Sequence, residues 1–285
     1  MLSKNIQTFI ACDCDYNDAE IVIFGAPFDS TTSFRPGTRF GPQAIRSESF
    51  GIETYSPYQN KDLSDIYVFD SGDLELPFGS PEKALLDIEH RTQTILDDGK
   101  IPCMIGGEHL VTLGAVRASA KKFKDLVVIQ FDAHADLRND YLGVKLSHAC
   151  VMRRCHDILG DGRIFQFGIR SGDREEFVFS DSRTYMNKFN FDSISESVQK
   201  IGQSPVYFTL DLDVLDPSEF PGTGTPEAGG VGFKELLAAI QQISELNIIG
   251  FDINELSPVY DTSGRSTALA CKTLREILLS VSSKP

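Results

Sequence analysis

This chain has little from which to build a nucleic-acid or membrane partner. Its 27 Lys and Arg are outnumbered by 41 Asp and Glu, a net charge of −14. Phosphate neutralisation needs clustered cations that this balance does not supply. No apolar run approaches the roughly 18–20 residues that cross a bilayer. The opening stretch MLSKNIQTFIACDCD holds a single Lys and four consecutive apolar residues before Asp13, too few for a signal-peptide core. The expectation is a cytoplasmic protein with no nucleic acid and no membrane among its partners. Six Cys in 285 residues make no disulfide scaffold and read as reduced thiols. Cys12 and Cys14 lack a second pair at zinc spacing. No linker, low-complexity tract, charge block or repeat divides the chain, so residues 1–285 are expected to form a single domain.

What is present is a rhythm. Short β-rich runs recur at 21–24, 66–69, 101–105, 126–131, 164–167, 206–210 and 247–251, with a weaker eighth at 184–189. Helical patterns lie between them, clearest at 81–98, 110–122, 192–201, 233–246 and 266–281. Ser80-Pro81-Glu82 offers a capping hydroxyl before a helix-opening proline, and Gly99 offers a stop. Strands alternating with helices imply βαβ crossovers and a mostly parallel sheet covered on both faces.

The strand ends carry the chemistry. IPCMI runs into Gly106-Gly107-Glu108-His109, VVIQF into Asp132-Ala133-His134-Ala135-Asp136, VYFTL into Asp211-Leu212-Asp213, and IIGF into Asp252-Ile253-Asn254-Glu255. In a parallel sheet these ends share one edge, where open α/β folds build ligand sites. Residues two apart share a face of an extended segment, which would align Asp132, His134 and Asp136. The Gly-Gly turn lets backbone approach closely ahead of His109. A lone Asp-Xaa-Asp after a strand is ordinarily a solvated loop or a helix cap. Four carboxylates in one pocket would repel, and bound cations remove that conflict. Four carboxylates and two imidazoles saturate one octahedral ion, or serve two ions roughly 3.5 Å apart if two aspartates bridge, with room for a shared water. Oxygen donors with imidazole and no thiolate favour manganese, with magnesium, zinc, cobalt or nickel as alternatives.

These motifs resemble those of the ureohydrolase family, which includes arginase and agmatinase. The resemblance runs nearly end to end, continuing from Thr209-Leu210-Asp211-Leu212-Asp213-Val214-Leu215-Asp216-Pro217 into Pro221-Gly222-Thr223-Gly224-Thr225-Pro226. Gly25-Ala26-Pro27-Phe28-Asp29, Phe34-Arg35-Pro36-Gly37 and Arg39-Phe40-Gly41-Pro42 resemble the agmatinase branch in particular. The resemblance implies a single catalytic domain with a three-layer α/β/α sandwich around an eight-stranded sheet. It also implies two Mn2+ per subunit, a trimeric or hexameric homo-oligomer, and hydrolysis of a cationic guanidino substrate to urea and an amine. By position it makes His109 a ligand of the first ion and His134 of the second. Asp132 and Asp211 would bridge, with Asp136 on the first ion and Asp213 on the second. Glu255 matches the carboxylate that holds the guanidinium, His148 a proton shuttle, and Asp136 the proton donor to the leaving amine. Glu108 and Leu110 stand where the family usually has Asp and Ser, and Ala149 stands where glycine commonly follows His148.

The substrate implied is agmatine, giving putrescine and urea. Arginase, guanidinobutyrase or formiminoglutamase activity is the alternative at the same metal site, and a silent metal-binding relative a further one. The segment Leu137-Arg138-Asn139-Asp140-Tyr141 does not resemble the arginase loop that receives an α-carboxylate, although Arg138 or Asn139 turned inward would favour an acid-tailed substrate. Pro221–Pro226 lacks the Gly-Lys-Ser/Thr ending of a phosphate loop and reads as a pocket rim. His90 reads as a surface residue, His156 as a partner of a helix C-terminus, and Arg153-Arg154 as part of a salt-bridged interface rather than a substrate contact.

Overall fold

The β-branched and aromatic runs become strands because both of their faces are covered. The computed structural model describes residues 7–283. Its strands are β1 (Ile21–Ala26), a short hairpin of β2 (Tyr55–Ser56) and β3 (Lys61–Asp62), then β4 (Val68–Asp73), β5 (Ile101–Gly106), β6 (Val127–Phe131), β7 (Ile164–Ile169), β8 (Tyr185–Lys188), β9 (Pro205–Asp211) and β10 (Asn247–Asn254). All but the hairpin form one eight-stranded sheet in the order β4-β1-β5-β10-β9-β6-β7-β8. Every pairing in it is parallel. Strands β1, β6 and β7 are buried at every residue, as a parallel sheet sandwiched between helices requires. The weak eighth run is a true edge strand, partly exposed.

The helices are α1 (Gly41–Glu48), α2 (Pro81–Asp97), α3 (Thr112–Lys122), α4 (Val151–Leu159), α5 (Arg174–Arg183), α6 (Ile194–Ile201), α7 (Phe233–Ile243) and α8 (Arg265–Val281). Alternate strand residues feed two separate cores. Ile21, Ile23, Ile105, Phe131 and Phe208 pack with α1, α6, α7 and α8. Val22, Phe24, Met104, Val128 and Tyr207 pack with α2, α3 and α4. The result is the three-layer α/β/α sandwich expected.

Periodicity did not single out α1, α4 and α5. Each is short, and α5 (REEFVFSDSR) has almost no apolar face. A capping box fixes it instead: Asp173 accepts from Glu175 and Glu176 N–H, and the Glu176 carboxylate accepts from Asp173 N–H. The capping hydroxyl expected at Ser80 is a correction, because that side chain makes no cap hydrogen bond. Pro81, with its pre-set φ, opens the helix, and Gly99 at φ 74° ends it. All six cysteines are free thiols. Residues 1–6, part of the stretch that argued against a signal peptide, lie outside the described residues. Among the described residues no helix is long and apolar enough to cross a membrane.

The strand order sets the crevice. After β5 the chain skips two positions to form β6, and β9 and β10 return later to fill the gap. Four adjacent strands, β5, β10, β9 and β6, therefore deliver all four motifs to one edge.

Candidate active site

Each motif reaches the crevice by its own local device. Gly107 packs so closely on the next segment that a Cβ there would lie 2.1 Å from the Phe28 carbonyl oxygen. That contact swings the chain into a short 3-10 turn, His109–Val111, which buries His109. Asp211 ends β9, and its carboxylate accepts from Asp213 N–H at 2.9 Å, folding Asp213 back toward the same point. Glu255 follows β10 at φ 66°, a left-handed backbone that glycine normally takes. It is held there by two bonds, Glu255 N–H to the Gly107 carbonyl at 2.9 Å and His109 N–H to Glu255 Oε1 at 2.7 Å.

The loop after β6 corrects one expectation. Asp132, His134 and Asp136 do converge, but not along one face of an extended segment. The strand ends at Phe131, and Asp136 adopts φ 54°. The loop is pinned by Ala135 N–H to the Ser171 carbonyl at 3.0 Å and by His134 N–H to Asp132 Oδ1 at 2.6 Å. Asp252 is a second correction. It lies inside β10, fully buried behind the crevice, and serves the site through a neighbour.

The assembled cluster has two halves joined by one carboxylate. His109 Nδ1 lies 3.0 Å from Asp132 Oδ2, 3.1 Å from Asp136 Oδ2 and 3.4 Å from Asp211 Oδ2. His134 Nδ1 lies 3.0 Å from Asp213 Oδ2 and 3.6 Å from Asp132 Oδ1. Two groups could each hold a cation, His109 with Asp132 and Asp211, and His134 with Asp132 and Asp213. His109 Nδ1 and Asp213 Oδ2 are buried without a hydrogen-bond partner. Such orphaned atoms call for a bound partner or a functional role. Their chemistry, with no thiolate nearby, fits divalent cations that accept oxygen and imidazole.

The layer behind the cluster fixes its protonation. Thr209 donates its hydroxyl hydrogen to Asp252 Oδ1 at 2.6 Å, so Thr209 Oγ1, 2.8 Å from His109 Nε2, accepts from that ring nitrogen. Tyr207 and Asn254 also donate to Asp252. The hydrogen on Nε2 leaves Nδ1 bare toward the carboxylates, the form a metal ligand needs. On the other side, Gln130 donates to Asp132 Oδ2 at 2.6 Å and is itself oriented by Gln166 at 2.6 Å. Motif spacing did not reveal these supporting residues. Alternate-residue pairing with the strand ends, as in Gln130 and Asp132, was the available signal.

The electrostatics are those of a donor set that needs positive charge. Burial, then Asp132, pushes the Asp136 carboxyl up to about 7. Burial, then Asp213 and Asp132, holds Asp211 well above the usual carboxylate range. Glu255 is raised chiefly by burial, with Asp213 and Glu108 adding to it. Asp132 moves the other way: burial opposes its charge, but the neighbouring imidazoles of His109 and His134 prevail. Protons or dications supply the missing charge, and a dication that binds displaces protons.

The cluster floors a cleft of about 150 Å³ lined also by Ser33, Arg138, Tyr141, His148, Ala149, Thr225 and Glu255. His148 sits at its mouth, lowered to about 4, mainly by burial. Thr225 comes from the Gly- and Thr-rich segment expected to form the rim. Arg138 contributes to the wall with its charge already engaged, 2.7 Å from Asp173, 3.6 Å from Glu176 and over the Tyr141 ring. Asn139 is exposed and lines a neighbouring cavity instead. Away from the cleft, His90 is exposed, His156 pairs with Asp161 just beyond α4, and Arg153 and Arg154 pair with Asp157.

Comparison with known proteins converges on the same region of fold space. Residues 19–280 match the family model described as the Arginase family. The chain is 46% identical over 277 residues to the agmatinase of Bacillus subtilis (strain 168), covering 96% of each chain. A solved structure described as a candidate agmatinase from Clostridium difficile superposes with a TM-score of 0.92 at 50% identity, over 94% of this chain and 99% of that one. The agmatine ureohydrolase of Thermoplasma volcanium superposes with a TM-score of 0.89 at 37% identity, over 97% and 94%.

Proposed function

The chain belongs to the arginase family, and from that premise we propose that it hydrolyses agmatine, consuming one water, to putrescine and urea. The single observation that carries the reading is the pair of ligand groups sharing Asp132 beneath a cleft lined by Glu255 and His148. His109, Asp132, Asp136 and Asp211 would hold one divalent cation, and His134, Asp132, Asp211 and Asp213 the other. Bound there, two manganese ions would supply charge stabilisation and acidify a water.

The remaining work falls to side chains. Glu255, buried and braced by His109 N–H, supplies the anion that holds the planar guanidinium over the cluster. Asp136, at the cluster beside His109, is placed to take a proton from the attacking water and return it to the departing amine. His148 at the cleft mouth exchanges protons with solvent. The His109–Thr209–Asp252 and Asp132–Gln130–Gln166 chains keep both halves oriented while charge moves.

Substrate choice rests on the far end of the cleft. Arginine, 4-guanidinobutyrate and formiminoglutamate each present a carboxylate there, which needs a cation free to receive it. Arg138 already has a carboxylate partner in Asp173, and Asn139 faces another cavity. Both support a substrate whose tail is an amine. Urea release from the four compounds with manganese present tests this. Agmatine should lead in kcat/KM, and a lead of more than tenfold for any acid-tailed compound would reject agmatine while leaving guanidino hydrolysis intact. We also expect a cytoplasmic homo-oligomer, trimeric or hexameric. A monomer of 31.5 kDa by light scattering at micromolar concentration would reject the assembly.

A further inference from the structure

Glu108 is one of two residues, with Leu110, at which this chain departs from the usual family motif around His109, and it is fully buried. It ligates nothing in the cluster. Both of its oxygens accept from Thr31 of another loop, Thr31 N–H donating to Oε2 at 2.9 Å and the Thr31 hydroxyl to Oε1 at 2.5 Å, and the Thr32 N–H also bonds the carboxyl. The same contact is zipped by Glu108 N–H to the Phe28 carbonyl at 2.7 Å.

Thr31 in turn is the principal support of His148. The Thr31 carbonyl accepts from His148 Nδ1 at 2.8 Å, and Thr31 Oγ1 accepts from His148 N–H at 3.2 Å. A carbonyl only accepts, so the first bond fixes the hydrogen on Nδ1 and leaves Nε2 with a lone pair. That Nε2 lies 3.1 Å from Ser33 Oγ at the cleft wall. The second bond needs the Thr31 hydroxyl hydrogen to point elsewhere, and Glu108 is where it points.

We propose that Glu108 is a positioning residue that acts on the reaction through His148, clamping Thr31 so that the imidazole is held in its Nδ1–H form with Nε2 open to the cleft. The proposal rests on the reading of His148 as a proton carrier. Two acceptor oxygens are required because Thr31 presents two donors. Glutamine offers one acceptor oxygen and an NH2 group that opposes the other donor. Aspartate is one methylene short of Thr31.

The test is a cycle of Glu108→Gln, His148→Asn and the double variant, each checked for metal content by elemental analysis. Glu108→Gln should lower kcat about tenfold with KM little changed, a fraction of the roughly hundredfold or more that a positioned acid–base group contributes. In the His148→Asn background the same change should cost nothing further. An equal loss in both backgrounds, or lost metal in Glu108→Gln, overturns the proposal. The second readout is the tautomer, from 15N shifts of labelled histidine with magnesium replacing any paramagnetic ion. Wild type should show His148 as Nδ1–H, and Glu108→Gln a mixture. A single unchanged tautomer overturns the clamp. A wild-type kcat in His148→Asn overturns the proton-carrier reading, and the 15N spectra then still decide whether Glu108 positions the ring. If Glu108→Gln fails to fold, Thr31→Val removes the hydroxyl alone and should show the same dependence on His148.

Discussion

The floor of the cleft and its rim are built on different principles. The floor comes from the ends of four adjacent strands, and His109, Asp132, Asp211 and Asp213 are each at most 3% exposed. His109 is braced from behind by Thr209 and Asp252, Asp132 by Gln130, and Asp211 and Asp213 accept from the backbone N–H groups of Asp213 and Ala133. The rim comes from long loops that carry Ser33, Arg138, Tyr141 and His148, and these bonds run from loop to loop. On the proposed function the difference divides the labour: the floor would fix what reaction is possible, and the rim which molecule undergoes it and how protons leave.

The largest effect should come from breaking the floor at its shared carboxylate. Asp132→Ala leaves two imidazoles facing an unfilled gap and should abolish binding of both cations. An uncompensated buried charge typically costs about 3–5 kcal/mol. Urea release should accordingly fall by two or more powers of ten, with elemental analysis showing metal lost from both positions. Full activity, or loss of one ion only, would contradict a cluster joined through Asp132.

One layer further back the effect should shrink. Thr209→Val removes the acceptor that sets the His109 tautomer, and losses behind a ligand typically run about 10–100-fold. Metal titration should locate that loss in cation affinity. If affinity and kcat are both unchanged, the layer behind the floor does not brace it.

The rim should respond in selectivity rather than in rate. Asp173→Asn keeps the α5 cap but removes the main partner of Arg138. The freed guanidinium should raise kcat/KM for 4-guanidinobutyrate relative to agmatine by about tenfold, the worth of one hydrogen bond to a charged group. A ratio that stays at the wild-type value would mean that Arg138 does not discriminate tails.

The smallest effect concerns the rim segment carrying Thr225. Asp216 accepts from Ser218, Gly229 and Gly230 N–H at about 3 Å, and the bonds to Ser218, followed by those to the glycines, lower its carboxyl to about 2. A depressed folded-state value stabilises above the unfolded value near 3.8 and is lost as pH falls through about 2. Asp216→Asn should therefore narrow its Tm deficit relative to wild type between about pH 5 and pH 2. The group is partly exposed, so the shift should be a degree or two. A constant Tm difference across that range would remove the assignment.

The same division governs what could be read before the chain was folded. The floor was legible because a parallel sheet must put its strand ends on one edge, so motifs a hundred residues apart point to one crevice. The strands were legible from buried β-branched runs, even the weak one at the β8 edge. What escaped were short elements: α1 and α4, whose apolar faces span only eight and nine residues, and α5, which has almost no apolar face and rests on its capping box. The rim was equally hidden, because no spacing rule says that Arg138 will find Asp173 or that Thr31 will meet His148 across 117 residues.

By itself the sequence determined the chemistry of the donor set, since only carboxylate and imidazole follow these strands, and it determined the sandwich, since only buried parallel strands fit those runs. Tertiary structure alone decided the geometry. It put Asp136 and Glu255 into left-handed backbone, moved Asp252 from the pocket to the support of His109, and joined Glu108 to His148 through Thr31. The physical reason is that residue type and local period are properties of a segment. Tautomer, backbone strain and the engagement of a charge depend on which distant atoms the fold brings within 3 Å.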